Sequence, residues 1–260
     1  MNLLLIAGHG AGDPGATATT NGKQHKEADE TRKVVAALQP ILKKYCNVSV
    51  YPTSRNAFED HKKGVLTSTA KFANYNYVLE IHFNAFQNGP LDGNTKGVEC
   101  YVTSRESGTT VEEAICKNIA AVGLTNRGVK RYNWSVINAA KNAGVSSALL
   151  EVCFIDDPDD MKVYTAKFNQ IVEGIAKAIV DEFGLGDFKM ESQEAPKKEE
   201  EDEMVIYKTL DDVPKEFKPT VQKLMDKDAI KGTGNGELNL EENMVRVLVM
   251  HDRLGLYDLK

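Results

Sequence analysis

The sequence has little that would tie it to disulfides, a membrane or a nucleic acid. Its four cysteines include no CxxC pair, and two lie inside apolar strand-like runs, so reduced, structural cysteines are expected rather than a disulfide or a metal site. No apolar run reaches the roughly 18 residues of a membrane-spanning helix. The formal net charge is −6 and no region is basic, so nothing indicates nucleic-acid binding.

A secretory signal is also missing from the amino-terminal sequence "MNLLLIAGHG". It has no basic leader, its apolar run is short, and no small-residue cleavage site follows. We therefore expect synthesis in the cytoplasm without a signal peptide. If the protein acts outside the membrane, another agent must release it.

Charge and hydropathy divide the chain into three parts. Residues 1–183 are balanced in charge and carry most of the apolar periodicity. Residues 184–204 contain three basic and eight acidic residues with few large apolar ones, which predicts an acidic flexible linker. Apolar periodicity returns in residues 205–260, where two short helices are predicted, at about 217–228 and 241–254. A unit this small is marginal as an independent core, so a second copy or a partner can contribute to its stability.

Strand and helix patterns alternate through residues 1–183. Short β-branched runs predict strands, and apolar residues at helical spacing predict helices. The strands are predicted at 2–8, 47–53, 77–83, 97–103 and 147–154, and the helices at about 27–44, 109–122 and 165–183. This alternation predicts an α/β fold, with a twisted, mostly parallel sheet flanked by helices and a small helical C-terminal domain.

Four residues with functional side chains fall where such a sheet places its chemistry. His9, His82 and Glu151 lie at or near the carboxyl ends of predicted strands, and Glu27 opens the first long helix beyond a long loop of small and polar residues. Each has a structural alternative. A histidine at a strand end often only makes hydrogen bonds, Glu27 suits a helix start, and Glu151 can belong to a buried salt bridge.

Two histidines and a carboxylate from separate elements form the ligand set of a catalytic zinc site. Three protein ligands leave a fourth position for water, and a single anionic ligand keeps the centre positive. The glycines around His9 fit such a site, because they allow close approach and unusual dihedral angles.

Five segments, taken in their order along the chain, resemble the zinc-dependent N-acetylmuramoyl-L-alanine amidases of phage endolysins and bacterial autolysins. They are "GHGAGDPGA", "YPTSRNAFED", "EIHFNA", "NRGV" and "LLEVCFIDDPDD". The resemblance covers residues 1 to about 183. It implies that His9, Glu27 and His82 bind Zn²⁺ and that Glu151 is the catalytic acid/base. It also implies hydrolysis of the peptidoglycan amide between N-acetylmuramic acid and L-alanine, by a phage or prophage endolysin that acts at the cell wall.

The sequence departs from the family pattern at two places near the expected metal. Glu80 stands two residues before His82, on the same strand face, and is either a partner of the ligand histidine or a competitor of Glu27. His25 stands two residues before Glu27. Two other functions remain open from the sequence: a zinc peptidase cutting within the stem peptide, and a catalytically inactive wall-binding protein.

Residues 205–260 resemble a single S-layer-homology-like module, carried by the stretch from "LDDVPKEF" to "MHDRLG". Such modules usually occur in threes and are linked to cell-wall polymers, which implies binding of a secondary wall polymer. Because only one copy is present, self-association into a homo-oligomer is the alternative.

Overall fold

The computed structural model describes residues 1–86, 96–189, 206–231, 237–253 and 257. The chain forms two compact units, Met1–Met190 and Glu191–Lys260. Of the predicted linker, residues 184–189 contain no helix or strand, and residues 190–204 lie outside the described residues.

A six-stranded sheet forms the centre of the N-terminal unit, with a two-stranded hairpin beside it. The strands of this unit are β1 (Asn2–Ala7), β2 (Thr17–Thr20), β3 (Lys23–Lys26), β4 (Asn47–Val50), β5 (Tyr77–Asn84), β6 (Val98–Val102), β7 (Asn126–Arg131) and β8 (Ser146–Phe154). The strand order is β4-β1-β5-β8-β6-β7, and the β6–β8 pair alone is antiparallel. The predicted mostly parallel α/β sheet is confirmed.

Helices cover both faces of this sheet. They are α1 (Glu27–Leu42), α2 (Ala57–Lys62), α3 (Leu66–Ala70), α4 (Thr110–Ala120), α5 (Ser135–Asn142) and α6 (Pro158–Glu182). Alternate strand residues point to opposite faces. Leu3 and Leu79 pack with α1, α4 and α6, whereas Leu4 and Val78 pack with α2, α3 and α5. Each fully buried side chain of this size contributes about 1.5–3 kcal/mol, so the two layers hold the sheet rigidly.

The structure adds elements that the sequence patterns missed. The edge strand β7 is only partly buried, and α5 is eight residues long, so neither has a strong periodic signal. The region between His9 and Glu27 is not simply a loop, because β2 and β3 form an antiparallel hairpin within it. Its turn is Asn21-Gly22, with φ of 51° and 78°, as hairpin turns require.

Helix α6 begins earlier than its apolar periodicity predicts. The Asp157 side chain accepts a hydrogen bond from the Asp160 N–H at 2.8 Å, and Pro158 occupies the first turn. An Asp cap followed by proline is a typical helix start. The four cysteines are free, and Cys100, Cys116 and Cys153 are buried.

The C-terminal unit contains the two predicted helices. Its elements are β9 (Ile206–Tyr207), α7 (Lys218–Asp226), β10 (Leu240–Glu241) and α8 (Glu242–Arg253). A small core around Val221 and Val245 joins the helices to the antiparallel β9–β10 pair. No helix among the described residues of either unit has the length and apolar character needed to cross a bilayer.

Candidate metal centre and active site

The loop after β1 presents His9 in a strained backbone conformation. His9 has a φ of 58°, a left-handed geometry that costs a non-glycine residue about 1–3 kcal/mol. The guanidinium of Arg32 holds this loop, since Nη1 donates to the Gly8 carbonyl and Nη2 to the His9 carbonyl, each at 3.1 Å. A Cβ on Gly10 would collide with that guanidinium, which explains the glycine there.

Backbone amides fix the carboxylate of Glu27 at the start of α1. The Phe83 N–H donates to Oε1 at 3.0 Å, and the Ala16 N–H donates to Oε2 at 2.9 Å. The side chain is buried. Gly15 lies against it with a φ of 65°, and a Cβ there would come within 2.7 Å of Glu27 Oε2. Position 15 therefore requires glycine both for its conformation and for space.

Glu27 brings the two predicted histidines together. His9 Nε2 lies 3.1 Å from Glu27 Oε2, and His82 Nδ1 lies 2.9 Å from Glu27 Oε1. The imidazole centroids are 4.9 Å apart. One ligand atom from each of the three residues lies within 4.8 Å of the others, and no further group of this kind occurs among the described residues. These three side chains can hold a metal ion, and two imidazoles with one carboxylate are a catalytic zinc ligand set.

Strong mutual attraction marks the three side chains as a charged cluster. Burial opposes ionisation of both His82 and Glu27. The combined hydrogen bonds and opposite charges around them outweigh burial: Glu27 and Glu80 hold the pKa of His82 well above its usual value, and His82 and His9 hold the pKa of Glu27 well below its usual value. Burial likewise lowers the pKa of His9, but its bonds to Glu27 and Asp13 raise it overall. A divalent cation would take the place of these protons, so metal binding releases protons and strengthens with pH.

Each histidine has a carboxylate on its remaining ring nitrogen. His9 Nδ1 donates to Asp13 Oδ2 at 2.8 Å, and His82 Nε2 donates to Glu80 Oε1 at 3.2 Å. Such carboxylates orient a ligand imidazole and raise its basicity. Glu80 thus partners His82 and lies outside the group of three ligand atoms. His25 is buried and bonded to Glu30 at 2.9 Å, also outside that group.

Glu151 lies beside the three-residue cluster. It is the register partner of His82 on the adjacent strand, so both side chains are on the same sheet face. Its Oε2 is buried and has no hydrogen-bond partner among the described residues. Burial, reinforced by Glu27, Glu99 and Glu80 against the opposing His82, raises the pKa of Glu151 to about 8.

A cleft of about 500 Å³ opens over these side chains. The three metal-cluster residues and Glu151 all line it. Its remaining wall includes three aromatic residues, Phe58 from α2, Phe83 from β5 and Trp134 at the start of α5. All four side chains that the sequence singled out therefore face one cavity.

Most of the N-terminal unit matches a known protein family. The family profile described as N-acetylmuramoyl-L-alanine amidase matches residues 3–181. This chain belongs to that family. The amidase is thus a hydrolase of peptidoglycan, and residues beyond 181 lie outside the matched region. No curated protein sequence matches the chain significantly.

Solved structures share the fold of the amidase unit. The catalytic domain of CwlV, an N-acetylmuramoyl-L-alanine amidase from Bacillus (Paenibacillus) polymyxa var. colistinus, is 24% identical with a TM-score of 0.58, covering 71% of this chain and 99% of that one. AmiC2 of Nostoc punctiforme is 20% identical with a TM-score of 0.57, covering 71% and 97%. The catalytic domain of the CD27L endolysin, which targets Clostridia difficile, is 20% identical with a TM-score of 0.57, and the match covers 70% of this chain and 97% of that one.

Two residues that support the amidase site were not singled out from the sequence. Asp13 is held by Asn56 Nδ2 at 3.0 Å and by the Gly15 N–H at 2.9 Å while it orients His9. Its position four residues after His9 in the glycine-rich loop was a usable signal, because ligand histidines commonly pair with carboxylates. Arg32 gave no comparable signal, since its targets are backbone carbonyls.

Proposed function

We propose that this amidase is zinc-dependent and cleaves the amide between N-acetylmuramic acid and the L-alanine of the stem peptide. The observation that carries the proposal is the convergence of His9, Glu27 and His82 beside Glu151, whose Oε2 is buried without a partner. A structural salt bridge would have satisfied that oxygen. A buried carboxyl with a pKa raised to about 8 instead suits proton transfer near neutral pH.

In this mechanism His9, Glu27 and His82 hold the zinc ion. When bound there, zinc would lower the pKa of a coordinated water to about 7 and would polarise the substrate carbonyl. Glu151 accepts a proton from the attacking water through its carboxylate and then donates it to the leaving alanine nitrogen. That second step is essential because an amide nitrogen does not leave as an anion. Asp13 and Glu80 keep the two imidazoles oriented throughout.

Metal content and wall lysis test the two roles separately. His9→Ala is expected to lose both zinc, by elemental analysis, and lysis of purified cell walls. Glu151→Gln is expected to retain zinc and lose lysis by about 10² or more, the usual scale for a general acid/base. Thr165→Ala, at an exposed position of α6, is the control for expression and folding. Full zinc in His9→Ala, or wild-type rates in Glu151→Gln, would contradict the assignment.

Mass spectrometry of the digested wall identifies the bond that is cut. Intact stem peptides together with peptide-free glycan are expected from amidase action. Shortened peptides would instead indicate a zinc peptidase. Wall binding without any cleavage would indicate an inactive binding protein.

The biological role that we propose is that of a phage or prophage endolysin. One of the structures sharing the fold is the catalytic domain of an endolysin, while others are bacterial amidases. Bacterial cells that produce the protein should then stay intact until their membrane is permeabilised, and lyse at once afterwards. Lysis without permeabilisation would indicate an exported autolysin.

We assign catalysis to residues 1–183, a linker to 184–204, and self-association to the S-layer-homology-like module 205–260. In α8, Met244, Val247 and Met250 are each about half exposed, at spacings of three residues. Val245 and Val249 on the other side of the helix are buried. An exposed apolar stripe suits pairing with a second copy better than it suits a polar wall polymer.

Light scattering of the full chain tests this assignment. The wild type should be oligomeric, and Val247→Lys should shift it to the monomer. Lys231→Gln, a charge change elsewhere in the unit, should leave the mass unchanged. A monomeric wild type that is retained on purified wall polymer would favour the wall-binding alternative.

A further inference from the structure

An aromatic surface that the proposed reaction does not use reaches the catalytic cleft at Trp134. Trp134 is 42% exposed although it is the sole tryptophan in the chain, and Tyr132 is 56% exposed. Leaving such large apolar side chains in water forgoes burial that a purely structural role would provide. Trp134 lines the same cavity as His82 and Glu151.

This aromatic surface, formed by Tyr101, Tyr132 and Trp134, is held in place by its neighbours. The Trp134 ring centroid lies 4.6 Å from that of Tyr132 and 5.9 Å from that of Tyr101, the latter pair edge to face. The backbone is fixed as well, because the Tyr132 N–H donates to the Val102 carbonyl at 2.9 Å. A ligand would therefore meet a preorganised surface and lose little side-chain entropy on binding.

The indole is also chemically available. The Trp134 indole N–H and the Tyr132 hydroxyl make no hydrogen bond to another described residue. Both groups are exposed, so water satisfies them in the free enzyme. An apolar ring face combined with free polar donors matches a sugar ring, which presents C–H groups on its faces and hydroxyl or acetamido groups at its edge.

We propose that the Tyr101–Tyr132–Trp134 surface is the subsite for the N-acetylmuramoyl ring of the substrate. This inference rests on the proposed function and names the part of the substrate that the cleft recognises. Of the two groups joined by the scissile amide, alanine offers one methyl, whereas the muramoyl group offers an entire ring beside the bond. The ring is the one that can cover an indole in the cleft that Glu151 also lines.

Two soluble substrates isolate the contribution of the ring. One is an N-acetylmuramoyl peptide, and the other is the same peptide carrying only a D-lactoyl group in place of the sugar. The wild type should prefer the first in kcat/KM. In Trp134→Ala this preference should fall about three- to tenfold, the size of an aromatic stacking contact. Trp134→Phe, which keeps an apolar ring, should retain most of it.

Fluorescence gives a readout that does not need turnover. Because Trp134 is the single tryptophan, its emission in the Glu151→Gln variant reports directly on this subsite. The N-acetylmuramoyl peptide should shift or quench that emission, and the D-lactoyl peptide at equal saturation should not.

The outcomes separate this subsite from the proposed reaction. If the wild type cleaves both substrates and the preference is the same in Trp134→Ala, the subsite is wrong and the reaction stands. If shortening the stem peptide, rather than removing the sugar, abolishes the Trp134 signal, the surface binds peptide and the proposal is overturned. If the wild type cleaves neither substrate nor walls, the proposed function and the subsite fall together.

Discussion

Replacing Glu151 by glutamine should stabilise the metal-free amidase while it destroys activity. Burial raises the pKa of this carboxyl from 4.5 to about 8. Between these values the folded protein keeps a proton that the unfolded chain has released. The free energy of unfolding therefore falls as pH rises through this window. Glutamine has the same shape as glutamate and does not titrate, so the variant does not lose this free energy of unfolding as pH rises.

The size of the effect follows from the width of the window. Each pKa unit corresponds to about 1.36 kcal/mol, which gives about 5 kcal/mol as the upper limit at pH 8 and about 3 kcal/mol at pH 7. Relaxation of the site reduces these figures. We expect Glu151→Gln to gain about 2–3 kcal/mol at pH 7 and almost nothing at pH 4.5. For a domain of this size the gain at pH 7 is about 5–10 °C in Tm.

Urea unfolding at several pH values, with chelator present, measures this difference. The emission of Trp134 reports on the N-terminal unit alone, since the chain has no other tryptophan. Glu182→Gln is the control, because a solvated carboxylate loses little hydration on folding. The reasoning would be refuted if the difference in unfolding free energy between Glu151→Gln and the wild type stayed constant with pH, or if Glu151→Gln were the less stable protein. Adding zinc should shrink the difference, because a nearby cation lowers the pKa of the carboxyl.

The residues supporting the metal cluster give three further predictions. Asp13→Asn should weaken zinc binding about 10- to 100-fold in a chelator competition, because His9 loses its orienting carboxylate; an unchanged affinity would remove Asp13 from this role. Arg32→Met should also weaken zinc binding, whereas its neighbour Lys33→Met should not, and equal effects would mean that only helix charge matters. Gly15→Ala should fold with reduced zinc content, since its Cβ meets Glu27 within 2.7 Å; full zinc occupancy would show that the loop can move aside.

The layered fold could be predicted because its strands are buried on both faces and its main helices are long. β1 is almost continuously apolar, and β5 and β8 are mostly buried with short apolar runs, which have few alternatives in a chain of this length. The edge strand β7 and the short helix α5 escaped prediction because partial burial leaves no clear period. The β2–β3 hairpin did carry an Asn-Gly signal, but its flanking residues are polar and show no apolar alternation.

The part of the candidate site that could be predicted is the part that the strand order of the sheet brings together. His9, His82 and Glu151 end on adjacent strands, so the sheet itself brings them to one edge. What topology does not specify is how a loop is held. Arg32 recognises carbonyl oxygens, which every residue has, and therefore no pattern of residue types reveals its contacts with the His9 loop.

The opening glycines of the sequence follow from the same arrangement. Gly8 lies against the His82 ring, Gly10 against the Arg32 guanidinium, and Gly15 against Glu27, so each allows a charged or ring group to approach the backbone. The loop is thus shaped around the polar cluster and not around an apolar core. A loop of this kind gains little from burial, and its order depends on the charges that it surrounds. For that reason replacement of Arg32 should loosen the His9 loop before it affects the sheet beneath.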